Sequence, residues 1–108
     1  MIFEYRCYTV APGRMNELLD RFRNHTLGFW KKYDIHPVGF FTPVIADKNN
    51  QLIFMLQFRD LKHREDAWAS FMADKDWLDV VAESNAKGAL VVNVENKILS
   101  PTDFSPLK

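Results

Sequence analysis

Twice along this chain an apolar pattern of period two gives way to one of period 3.6, and that double switch restricts its possible folds more than any other feature. Residues 2 to 10, IFEYRCYTV, alternate β-branched and aromatic residues as a strand does. Pro12 and Gly13 stop the alternation. From Met15 onward Leu18, Leu19, Phe22, Thr26, Phe29, Trp30 and Tyr33 fall three and four apart, the stripe of one long helix with Pro12 in its first turn. Asp34 and Pro37 end that helix, and residues 35 to 45, IHPVGFFTPVI, predict a second strand bent or bulged near Gly39. ADKNNQ is turn chemistry leading into QLIFMLQFR, the clearest strand, so strands two and three form a hairpin. The second switch starts near Asp60 to Arg64. Ala67, Trp68, Phe71 and Met72 form a stripe, Asp74 and Asp76 mark a restart, and Trp77, Leu78, Val81 and Ala82 continue it, as one broken helix or two short ones. Gly88 suits a C-terminal cap, and residues 90 to 99, LVVNVENKIL, are the last strand.

Strand, helix, strand, strand, helix, strand is the order of a ferredoxin-like α+β sandwich, a βαββαβ four-stranded antiparallel sheet with helices on one face. At 108 residues the expectation is one domain, residues 1 to 108. Within it the tail SPTDFSPLK, residues 100 to 108, runs over the surface or onto a partner.

Sorting strand residues by parity assigns Phe3, Tyr5, Cys7, Leu52, Phe54, Leu56, Phe58, Leu90, Val92, Val94 and Ile98 to the helix-covered core. The other parity, Glu4, Arg6 and Tyr8 with Ile53, Met55, Gln57, Arg59, Asn93, Glu95 and Lys97, then faces away. That mixture is neither a dry core nor an ordinary wetted surface. It predicts that the uncovered face packs on a second copy, closing an eight-stranded dimeric α/β-barrel in a homodimer.

The fourteen basic and fourteen acidic residues cancel, so no overall field favours nucleic acid or an anionic membrane. Cys7 is alone, which excludes an intrachain disulfide. No leader pattern and no apolar run long enough for a membrane span are present, and a soluble, cytoplasmic chain is expected. The 47% hydrophobic and 14% aromatic content leaves apolar surface for a partner or a small apolar ligand.

The candidate catalytic residues are Glu4, Arg6 and Tyr8. Arg6 would hold an anionic or carbonyl ligand while Glu4 or Tyr8 moves a proton, or all three would form a structural ion-pair network. His25, Trp30, Trp68 and Phe71 are candidate ligand-pocket residues, although a stripe of this kind also builds core. His25, His36 and His63 show no metal-ligand spacing, and the glycines do not cluster into a phosphate loop, so neither metal nor cofactor is expected.

The opening IFEYRCYTVAPGRMNELL resembles the first block of NIPSNAP domains, in which Glu, Arg, Tyr-Thr and Pro-Gly recur at this spacing. VGFF, FRDLKHREDAW and ENKILSPTDFSP are similar to later blocks, so the resemblance covers nearly the whole chain. It departs at Tyr33-Asp34-Ile35, where a His-Gly-Ile turn is common, and at Lys97, where Arg is common. The resemblance implies the dimeric α/β-barrel superfamily, whose members include cofactor-free monooxygenases, haem-degrading enzymes, mutarotases and dehydratases. Some haem-degrading relatives place an axial ligand near the position of His63, whose neighbours Lys62 and Arg64 read instead as a solvated helix start. Two functions stand open: a small-molecule-binding protein, acting as a cofactor-free acid-base or monooxygenase-type enzyme on an apolar or carbonyl-bearing metabolite, or a non-catalytic homodimeric interaction module.

Overall fold

A computed structural model describes all 108 residues. Four strands, β1 (Ile2–Val10), β2 (His36–Phe41), β3 (Gln51–Phe58) and β4 (Val91–Leu99), form one sheet in the order β2-β3-β1-β4 with every neighbouring pair antiparallel. This is the ferredoxin-like α+β arrangement that the order of periods predicts. The helices α1 (Met15–Arg21), α2 (Leu27–Lys32), α3 (Leu61–Ala73) and α4 (Lys75–Ser84) cover one face, and a π-helical turn, Phe22–Thr26, joins α1 to α2. Leu18, Phe22, Trp30, Ile35, Leu52, Phe54, Leu56, Phe58, Phe71 and Trp77 are buried between the layers.

The break in the second helical region falls at Asp74. Its backbone is extended, and its carboxylate accepts N–H bonds from Asp76 at 2.8 Å and Trp77 at 3.0 Å, which caps α4. Tyr33 also donates its hydroxyl to Asp74, and that bond, with the Trp77 N–H and Lys32, holds the carboxyl down at about pKa 2.

Local details depart from the sequence reading. The first helix begins at Met15 because Pro12 and Gly13 form the preceding turn, with Gly13 at φ 76°. Strand two stops at Phe41, leaving Val44 and Ile45 in a loop with 97% and 95% of their surface exposed, whereas the bulge expected near Gly39 is present between Pro37 and Gly39. Helix α4 ends at Ser84, before Gly88, whose φ of 114° instead serves the turn into β4. Arg14 ties that turn down by donating to the Gly88 carbonyl at 2.6 Å.

The larger correction concerns the faces of the sheet. Glu4 lies opposite Leu56, Arg6 opposite Phe54 and Tyr8 opposite Leu52, so the polar triplet belongs to the helix-covered face. Phe3, Tyr5 and Cys7, expected in the core, share the other face with Gln57, Met55 and Ile53. A period of two fixes alternation within a strand but not the phase of one strand against the next, and a slip of one residue inverts every side chain. Phe3 and Cys7 are nevertheless buried, Phe3 beside Met55 where Leu99, Pro101 and Leu107 also gather. Val92, Val94 and Ile98, also expected in the core, are 59%, 46% and 41% exposed, since β4 is an edge strand that the helices do not cover.

Candidate functional site

Glu4 sits on β1, flanked by β3 and β4, with no surface exposed. A bare carboxylate there would cost several kcal/mol, so its position requires donors. Arg64 supplies a two-pronged grip through Nε to Oε1 at 2.9 Å and Nη2 to Oε2 at 3.0 Å. Trp68 donates its indole N–H to Oε1 at 3.0 Å, and Oε2 also accepts from Asn96 at 3.0 Å and Arg6 Nη1 at 2.9 Å. Burial pushes the carboxyl up, yet the bonds from Arg64, Asn96 and Trp68 and the charge of Arg6 outweigh it and hold Glu4 at about pKa 2. With five donors on two oxygens, Glu4 has no basicity to offer as a proton carrier.

Arg64, expected at a solvated helix start, instead reaches inward to Glu4, and Asn96 escaped the sequence reading. A usable signal existed for Arg64: it precedes Trp68 by four residues, and residues at that spacing share one face of α3. Asn96 had none, because only the β1–β4 register brings it opposite Arg6.

Arg6 continues from this network into an aromatic layer. Its guanidinium lies 4.7 Å from the Trp68 ring centroid and 5.6 Å from that of Tyr8, and its buried Nε has no hydrogen-bond partner. Tyr8 meets Phe54 edge-on at 5.0 Å, while Trp30 packs against Phe22 at 5.6 Å, Trp68 at 6.1 Å and Phe71 at 6.3 Å. The fold therefore brings Glu4, Arg6, Tyr8, Trp30, Trp68 and Phe71 together. His25 is not with them. It is exposed on the π-helical turn and lines a separate cleft against α4.

Two features bear on ligands. An apolar hollow of about 210 Å³ opens between the π-helical turn and the β2–β3 hairpin, walled by Leu19, Phe22, Leu27, Phe40 and Leu52 with Arg23 at its rim. Trp30 stacks on Phe40 at 6.0 Å and meets Phe22 edge-on, so it stands behind two of those walls, and its buried indole N–H has no acceptor. A π-helical turn inside an α-helix is a frequent mark of a functional site.

His63 is fully engaged: Nδ1 accepts the Arg59 backbone N–H at 3.0 Å, and Nε2 donates to the Asp34 carbonyl at 2.8 Å. Neither nitrogen is free to act as an axial ligand. Asp34 itself has φ 62°, the left-handed conformation that glycine favours, and its carboxylate receives Arg59 at 3.0 Å. No three His, Cys, Asp or Glu side chains converge where they could hold a metal ion. No helix is long and apolar enough to cross a membrane.

A split βαβ fold with one bare sheet face and an aromatic layer between sheet and helices defines a broad class of α+β proteins. The NIPSNAP family profile matches residues 3–106, and the chain belongs to that family. It is similar in structure to a NIPSNAP family protein from Agrobacterium tumefaciens, with 29% identity and TM-score 0.88, covering 99% of this chain and 98% of that one. A NIPSNAP-like domain protein from Burkholderia xenovorans is 28% identical with TM-score 0.85, over 97% of this chain and 88% of the other. The fold is shared with SnoaB, a cofactor-independent oxygenase from Streptomyces nogalater, at 17% identity and TM-score 0.58 over 97% and 96% of the chains. Among curated proteins none matches the sequence.

Proposed function

We propose that this chain binds a small apolar molecule bearing a carbonyl or similar acceptor oxygen, in the hollow beside the π-helical turn. One observation carries the reading: an apolar hollow with five hydrophobic walls and a single polar side chain, Arg23, able to donate to a ligand oxygen. The hollow's volume of about 210 Å³ also exceeds the roughly 150 Å³ of an engineered apolar cavity that takes up benzene. Acid-base catalysis by Glu4 is not part of this reading, because the carboxylate is saturated. Acetophenone and ethylbenzene, alike in shape but differing in the carbonyl, are the probes. Both should shift the amide resonances of Phe22, Leu27 and Phe40, acetophenone should bind more tightly, and Arg23→Met should abolish that preference. Absence of any shift at the three residues with either probe would refute the reading.

A second element has its own support. The uncovered sheet face carries Tyr5, Ile53 and Met55, and in the loop after β2 and the C-terminal tail Val44, Ile45 and Phe104 expose 97%, 95% and 84% of their surface. Apolar exposure on that scale favours pairing of two copies through this face, with residues 42–50 and 100–108 as clasps. Sedimentation of a monomer at micromolar concentration would contradict it.

A further inference from the structure

The sheet has two edge strands, and they are built differently. An edge strand offers a row of unpaired backbone N–H and C=O groups to any other strand, and proteins blunt it by short length, a proline or a bulge. β2 has all three: six residues, Pro37 within them, and a register shift between Pro37 and Gly39. β4 is nine residues long, contains no proline and keeps its register with β1 from Asn93 to Leu99. Every residue from Val92 to Leu99 is exposed, and no loop or tail backbone hydrogen-bonds to the strand. The exposure of Val92, Val94 and Ile98 on the helix side also shows that the helices stop short of β4, which leaves room for a further strand.

The sequence of β4 selects what fits this edge. Two copies of one strand pair antiparallel about a two-fold axis normal to the sheet, and residues of the same parity then stand opposite each other. With the axis at Asn96, Glu95 meets Lys97 twice, Val94 meets Ile98 twice and Asn93 meets Leu99 twice. With the axis at Glu95 or at Lys97, two like charges stand directly opposite, which is destabilising. With the axis at Val94 or Ile98, neither charge finds an opposite. Only the Asn96 register sets charge on opposite charge and Val94 on Ile98. Its ion pairs fall on the uncovered face, where Glu95 lies opposite Cys7 and Lys97 opposite Tyr5. Its apolar pairs fall on the helix side, where Val94 lies opposite Tyr8 and Ile98 opposite Glu4. Neither Glu95 nor Lys97 has an ion pair within the chain.

We propose that β4 pairs antiparallel with β4 of a second copy about Asn96, joining two four-stranded sheets edge to edge. This contact is distinct from the pairing of uncovered faces, because it uses the backbone edge and places its apolar pairs on the helix side. The two readings stand or fall separately.

The test is an isotope-filtered NOE experiment on a mixture of labelled and unlabelled chain at millimolar concentration. The Val94 methyl groups of one copy should show NOEs to the Ile98 methyl groups of the other. Pairing through the uncovered faces keeps those methyl groups on the outer sides and gives no such signal. Charge variants provide a second readout. Glu95→Lys and Lys97→Glu each set two like-charge pairs across the axis, and each should weaken this association about tenfold in sedimentation. An equimolar mixture of the two variants should recover it, since the strands then meet with opposite charges at both positions. The unaltered chain decides the matter even should a variant fold poorly. Absence of the Val94–Ile98 NOE, which is also the result if the edge instead takes a strand of another protein, would overturn the proposal. So would a variant mixture that stays as dissociated as either variant alone.

Discussion

Arg64 and Arg21 are both partly buried arginines near a tryptophan on the helical layer, and they end in opposite states. Arg64 closes on Glu4 with the edge formed by Nε and Nη2, and the carboxylate it holds is further bound by Trp68, Asn96 and Arg6. Arg21 finds no carboxylate: its Nε is buried without a partner and its Nη1 donates to the Ser84 hydroxyl at 3.1 Å. The difference separates a cation that the fold satisfies from one that it leaves unsatisfied. A polar group with every valence satisfied inside the protein stabilises the fold, whereas a buried donor without a partner costs stability. Glu4, the more conspicuous residue in the sequence, is by this criterion structural.

Four measurements sharpen or break that contrast, in descending order of effect. Glu4→Gln leaves Arg64 and Arg6 without their anion inside the layer and should cost about 3–5 kcal/mol in urea denaturation. A loss below about 1 kcal/mol would mean that the network is not structural. The second is the acid limb of stability. Because the Glu4 pKa falls from 4.5 in the unfolded chain to about 2 in the folded one, its contribution is complete above pH 4.5 and is lost as pH falls toward 2. That loss should amount to about 3 kcal/mol and should be missing from the Glu4→Gln profile. Third, Arg21→Gln breaks no ion pair, and its cost should stay within about 1 kcal/mol, in contrast to Arg64→Gln. Fourth, Trp30→Phe keeps the ring packing and removes an unpaired donor, so stability should change by less than about 1 kcal/mol in either direction. A large loss would show that the Trp30 N–H has a partner in solution.

How far these states could be read in advance depended on their range along the chain. The element order was legible because hydrophobic period is local: IFEYRCYTV, the stripe from Met15 to Tyr33 and the Asp74 restart each declare themselves within a few residues. The resemblance of the first and last blocks named the family that the whole-chain match then showed. The face of β1 was not legible. Glu4, Arg6 and Tyr8 look like part of the uncovered face, packed on a second copy, until donors 60 and 92 residues away in sequence, Arg64 and Asn96, arrive to neutralise burial. The π-helical turn was hidden too, since FRNHT continues the helical stripe without a Gly or Pro to mark it. The state of Arg21 is a tertiary outcome. Glu17 and Asp20 stand one turn or less away, and only the folded chain shows that Arg14 and Arg23 take them.

The contrast rests most heavily on Glu4 being an ionised, saturated carboxylate. The direct measurement is a pH titration of its side-chain carboxyl carbon by NMR in the folded protein. The chemical shift should stay at the ionised value from pH 8 down to pH 4 and begin to move only as the solution approaches the Glu4 pKa of about 2. A midpoint above pH 5 would mark Glu4 as a group able to exchange protons near neutrality, and would return it to the catalytic role that its network denies.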